Sequence, residues 1–158
     1  MYRRIFGTGP TGIGATVAIW FLALKIERWI GIPSISMGET FRLLLLILFV
    51  ADATFMTVWS FIALPIPVRG DKLVTTGPFR WVRHPFYAAI IWSGTGAVAI
   101  WHYSWTAIFS VILINLFWTW HIQQEERFMV EKFGDEYRRY TEETGQFFPL
   151  LRKSGDPS

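Results

Sequence analysis

Three long apolar runs, at about residues 11–30, 41–64 and 85–122, constrain this 158-residue chain more than any other feature. A helix crossing lipid needs roughly 20 consecutive apolar residues. Each of the first two runs meets that length, and the third is long enough for two crossings joined at the aromatic, polar stretch Trp101-His102-Tyr103-Ser104-Trp105. With 52% hydrophobic and 18% aromatic residues, the chain carries more apolar surface than one soluble core can bury. The expected fold is therefore all-α, an integral membrane helical bundle of about four transmembrane helices, forming a single domain over residues 1–158. The first span is the weakest, because Lys25, Glu27 and Arg28 interrupt it, so a short or tilted helix is expected there.

The distribution of positive charge sets the expected orientation. Two Lys or Arg lie in the N-terminal tail Met1-Tyr2-Arg3-Arg4, four in the 65–84 loop and six after residue 122, against three between the first two spans. By the positive-inside tendency both termini are cytoplasmic, and the 31–40 and 101–104 turns face outward. The same charges argue against a nucleic-acid protein despite the net charge of +3, since they flank apolar runs and form no stripe on a soluble domain. Without cysteine, disulfides and thiol nucleophiles are excluded, and no metal site is expected. The N-terminal apolar run lacks a convincing small-residue cleavage site and is expected to be retained.

Between the second and third runs lies a basic, turn-rich segment, Thr75-Thr76-Gly77-Pro78-Phe79-Arg80-Trp81-Val82-Arg83-His84-Pro85-Phe86-Tyr87. Pro65 and Pro67 end the second span, because proline donates no hydrogen bond to a helix ladder. Beyond the last span, Gln123 to Phe133 predicts a helical extension with Phe128, Met129 and Phe133 on its apolar side and Gly134 as its stop. A short amphipathic helix, Glu136-Tyr137-Arg138-Arg139-Tyr140, follows.

The pieces Lys72-Leu73-Val74-Thr75-Thr76-Gly77-Pro78-Phe79, Arg83-His84-Pro85-Phe86-Tyr87, Glu125-Glu126-Arg127 and Phe133-Gly134-Asp135-Glu136-Tyr137-Arg138-Arg139-Tyr140 occur in that order over about residues 71–150. In order and spacing the chain resembles the integral-membrane methyltransferases typified by isoprenylcysteine carboxyl methyltransferase, with phosphatidylethanolamine N-methyltransferase as a relative. The resemblance implies S-adenosyl-L-methionine as cofactor and methyl transfer to a lipid-like or hydrophobic acceptor, of prenylcysteine carboxylate or phospholipid amine type, at the cytoplasmic membrane face. It implies cofactor contacts at Lys72, Leu73, Val74, Phe79, His84, Pro85, Tyr87 and Glu125, and, through the phospholipid relatives, at Gly94, Gly96 and Glu126. His121 and Arg127 are the candidates for contact with the acceptor. His121 departs from the pattern of the prenylcysteine enzymes, which place an arginine one turn before the first glutamate; a histidine cannot form the bidentate guanidinium fork.

Each candidate also has a plainer role. His84 suits carboxylate binding beside Pro85, whose place in the first helical turn leaves free amides nearby, or it caps an interfacial helix. Glu125 and Glu126 point about 100° apart on a helix, so Glu125 is expected to face the pocket and Glu126 water. Gly94-Thr95-Gly96 follows no strand and is no dinucleotide fingerprint; it lets helices pack closely or lets a cofactor approach. Asp52, near the middle of the second span, is expected to hydrogen-bond Asn115 across the bundle or to face substrate. Two rivals remain. One is an NADPH-dependent sterol-type membrane reductase, which shares the Arg-His-Pro pattern, and the other is a non-enzymatic membrane scaffold subunit.

Overall fold

The computed structural model describes residues 8–65, 68 and 70–150. Arg3, Arg4 and Pro67, used above for topology and for the loop, lie outside the described residues. Helix α1 spans Gly9–Ile30, with Pro10 in its first turn and left-handed Gly31 closing its end. Helix α2 spans Glu39–Ala63. After the 65–84 loop, which includes a 3₁₀ turn at Gly77–Arg80, the chain climbs through α3 (Pro85–Ala89), a π-helical turn (Ile90–Gly94) and α4 (Thr95–His102). Tyr103, with a φ of 55°, reverses the chain, and Ser104 caps α5 (Trp105–His121) by accepting from the Ala107 amide at 3.0 Å. A joint at Ile122 leads to α6 (Gln123–Phe133), and Gly134 separates it from α7 (Asp135–Glu143).

The described residues form no strand, and the chain is a helical multi-pass membrane protein. Three helices are long and apolar enough to cross a membrane: α1, α2, and α5 run together with α6. The remaining apolar passage, Pro85 to His102, is helical throughout but divided into pieces of five, five and eight residues. Most large apolar side chains of α2 are exposed, as a lipid-facing helix requires.

The first span is not short, at 22 residues. Its interrupting charge, Glu27, is buried because the other side of the hairpin turn covers it: the Ser104 hydroxyl (2.6 Å), the Thr106 amide (2.8 Å) and the Thr106 hydroxyl (2.6 Å) all donate to one carboxylate oxygen. Unpaired N–H groups and a positive dipole end at the start of α5 favour an anion there. This ties the end of α1 to the start of α5.

Close approach of α1 and α5 depends on Gly12. A Cβ at that position would lie 2.3 Å from the fully buried Trp118 ring, whose indole N–H donates to Thr16 Oγ1 at 2.8 Å. Trp118 joins Tyr87, Ala88, Ile91, Ile114 and Ile122 in the main core, which Val82 and Phe147 extend toward the loop. Residues 144–147 form a strap alongside that loop, with the amides of Arg83 and His84 donating to the carbonyls of Gly145 (2.8 Å) and Gln146 (3.1 Å). Trp92 adds an indole donor to the Phe147 carbonyl at 3.1 Å.

Candidate active site

Four stretches distant in sequence meet at one end of the bundle: the start of α1, residues 83–87, the α5–α6 joint, and α7 with the strap. Pro85 begins α3 and is fully buried, which leaves Arg83 and His84 on the loop just before the helix, aimed at α6. Arg83 forks onto Glu126, Nε to Oε1 at 3.0 Å and Nη2 to Oε2 at 3.2 Å. Its remaining nitrogen, Nη1, donates to the carbonyls of Thr141 and Thr144. His84 Nε2 lies 3.0 Å from Glu126 Oε1, and the Tyr137 hydroxyl donates to the same oxygen at 3.3 Å. Burial, followed by the Glu126 charge, holds the Tyr137 hydroxyl far above its usual ionisation range; burial does the same for Tyr140, whose hydroxyl donates to the Phe79 carbonyl.

Glu126 thus does not face water as expected. Both carboxylates of the pair are engaged, because α6 lies in a crook with α1 on one side and the 83–84 loop and α7 on the other. The 100° between neighbouring residues sends each to a different wall. Glu125 turns to α1, where it accepts from Thr8 Oγ1 at 2.9 Å and from the Tyr87 hydroxyl at 3.3 Å. Its donors among the described residues are uncharged hydroxyls, whereas Glu126 meets a guanidinium.

His84 and Glu125 are linked through Tyr87. The His84 ring stacks on Tyr87 at 5.6 Å with 12° between planes, and Tyr87 stacks in turn on Trp118 at 4.4 Å. His121 stands beside this column, stacked on Phe117 at 5.0 Å. Its Nε2 lies 2.9 Å from Thr11 Oγ1 and 3.2 Å from the Thr8 carbonyl. A carbonyl only accepts, so Nε2 is the donor in this contact, and Nδ1 makes neither of these contacts.

The other expected residues are more dispersed. Lys72 is exposed, while Leu73, Val74 and Phe79 are half-buried in the loop. Arg127 is exposed and borders a shallow groove with Gln123, Glu126, Val130 and Glu131. Gly94 and Gly96 lie where neighbouring helices close in: a Cβ would meet the Trp20 ring at 3.3 Å and the Phe49 ring at 2.5 Å respectively. Asp52 accepts from Ser93 and not from Asn115, because the π turn brings Ser93 onto the face of α2.

Sequence reasoning did not single out Thr8, Thr11, Arg83 or Tyr137 as site residues. Arg83 and Tyr137 stood within the quoted motifs. Two hydroxyls three residues apart at the mouth of an apolar helix were the available signal for Thr8 and Thr11.

The donor set fits a ligand bearing a cationic amino-acid end. The carboxylate of Glu125, met by hydroxyls and by no cation among the described residues, is suited to an ammonium.

The isoprenylcysteine carboxyl methyltransferase family model matches residues 39–131. The protein-S-isoprenylcysteine O-methyltransferase of Schizosaccharomyces pombe is 34% identical over 84 residues, which are 52% of this chain and 35% of that protein. The corresponding enzyme of Saccharomyces cerevisiae is 28% identical over 79 residues, 50% of this chain and 33% of the yeast protein. A probable protein-S-isoprenylcysteine O-methyltransferase of Oryza sativa subsp. indica is 30% identical over 144 residues, covering 86% of this chain and 70% of the rice protein. The chain therefore spans about a third of the length of the two yeast relatives but most of the rice one. The match runs through α2, the loop and both carboxylates of α6, and on that extent the chain belongs to the isoprenylcysteine carboxyl methyltransferase family.

Proposed function

We propose that the chain transfers a methyl group from S-adenosylmethionine to a lipid-like or hydrophobic acceptor, with the motif end of the bundle facing the cytoplasm as the Lys and Arg distribution favours. When bound, S-adenosylmethionine supplies an electrophilic methyl on a sulfonium, and transfer breaks that carbon–sulfur bond while the acceptor's nucleophilic atom forms the new one. The reacting charges partly cancel, so the protein contributes mainly alignment and exclusion of water.

The observation that carries this reading is Glu125, a carboxylate held among the described residues by hydroxyls alone, beside the His84–Tyr87 stack. In this assignment Glu125 holds the donor's ammonium, and Tyr87, stacked on His84, orients that carboxylate. Glu126 acts through Arg83 to fix the loop carrying Lys72, Leu73, Val74 and Phe79. Pro85 sets the start of α3, and Gly94 and Gly96 keep the supporting helices close. His121 and Arg127 remain the candidates to meet the acceptor, His121 through Nδ1. The names of the relatives favour a prenylcysteine carboxylate among possible acceptors.

Calorimetric titration of the detergent-solubilised protein with S-adenosylhomocysteine tests the donor site. Binding is expected for the wild type, and Glu125→Gln is expected to weaken it about tenfold, the scale of one charge-assisted hydrogen bond. Binding of NADPH in place of S-adenosylhomocysteine would favour the reductase reading, and binding of neither would favour the scaffold.

A further inference from the structure

Asp52 stands at the middle of α2 and carries a charge to a depth where insertion costs about 2.5–3.5 kcal/mol. Such a group persists where it has a partner, and among the described residues that partner is a single neutral hydroxyl, that of Ser93. Ser93 belongs to the π turn, a distortion that often accompanies function because it re-aims side chains out of the regular helical register. Asp52 and Ser93 lie on the wall of a cavity of about 480 Å³, within the range of roughly 300–1,000 Å³ typical of ligand pockets.

The rest of the lining is strongly one-sided. Trp59, Trp81, Trp92 and Phe147 contribute rings, and among the described lining residues Asp52 bears the only charge. The Trp92 N–H is spent on the Phe147 carbonyl, so that side chain offers the cavity its ring and no donor. Indole rings attract cations and repel anions, and a carboxylate at low dielectric does the same more strongly. A carboxylate-ended ligand placed against Asp52 would meet like charge with no cation nearby among the described lining residues.

We infer that this cavity binds an amphiphile with an amine or ammonium end, anchored by the Asp52 carboxylate, its apolar body lying along the tryptophans toward Phe147. That binding does not depend on the function proposed above. The inference also sets the cavity apart from one built for a carboxylate head, which would place a cation where Asp52 stands.

The test compares octylamine, octanol and octanoate, each titrated into the detergent-solubilised full chain and followed by quenching of tryptophan fluorescence. Octylamine is expected to half-saturate the wild type at a concentration about tenfold below octanoate, the scale of one charge-assisted contact. Asp52→Asn, which preserves shape, should bring the three within about twofold of one another by removing that contact. Equal or tighter binding of octanoate by the wild type would overturn the assignment without any variant. So would an amine preference that survives in Asp52→Asn, provided the variant keeps wild-type affinity for S-adenosylhomocysteine. Failure of the wild type to bind S-adenosylhomocysteine, with the amine preference intact, would remove the donor assignment and leave the cavity's selectivity standing.

Discussion

Arg83 grips both oxygens of Glu126 and, with its last nitrogen, the carbonyls of Thr141 and Thr144. One side chain therefore joins the loop, α6 and the end of α7. Arg83→Lys keeps the charge and loses the fork, since a single ammonium cannot match two carboxylate oxygens and two carbonyls at once. We expect a loss of about 1–3 kcal/mol in stability, read by thermal unfolding in detergent. Faster amide exchange should appear at Arg83 and His84, whose N–H groups hold the strap. Exchange confined to α2 would show that the fork does not secure this region.

Gly12 and Gly14 provide an internal control. A methyl at Gly12 enters the buried Trp118 ring, whereas one at Gly14 meets nothing within 4 Å. Gly12→Ala should destabilise by about 1–3 kcal/mol, the usual cost of overpacking. Gly14→Ala, inside a helix, should be neutral or stabilising by up to about 1 kcal/mol. Equal stabilities for the two variants would mean that α1 and α5 do not approach as described.

Glu27→Ala strands the Ser104 and Thr106 donors at the buried start of α5. The expected loss is about 1–3 kcal/mol, the penalty for unsatisfied buried polar groups. Affinity for S-adenosylhomocysteine should be unchanged, because the cluster lies at the opposite end of α1 from Thr8. A fall in that affinity at full stability would contradict the purely structural role.

Tyr137 and Tyr140 give the alkaline limb of stability a definite sign. Burial raises both hydroxyls above their value of about 10 in an unfolded chain, so the folded protein holds protons that the unfolded chain releases. Their contribution is complete below about pH 10 and is lost as pH rises toward the folded values. Phenolate absorbance should accordingly appear together with unfolding, and Tyr137→Phe or Tyr140→Phe should flatten the fall in stability above pH 10. Ionisation of these tyrosines in a protein that remains folded would refute the burial assigned to them.

Much of the architecture was legible because lipid leaves few alternatives. The lengths of the apolar runs gave α1, α2 and α5 nearly to the residue, Pro65 marked the end of α2, and Gly134 divided α6 from α7. The motif pieces from His84 to Tyr140 identified which end of the bundle would hold the polar cluster. Partners across the bundle were harder to read. Glu27 looked like a flaw in the first span because its donors lie some eighty residues away. Asp52 was matched to Asn115 on depth alone, since no local signal betrays a π turn that rotates Ser93 into reach. Thr8 and Thr11 were invisible for the same reason: a hydroxyl at a helix mouth has meaning only once its partner on α6 or α5 is known.

The strap has a consequence for biosynthesis. Arg83 and His84 find their backbone partners only at residues 145 and 146, so the polar corner is unfinished until translation has carried the chain at least that far. A chain released after residue 133 would contain every spanning helix and both glutamates, yet its loop would lack the segment that fixes it.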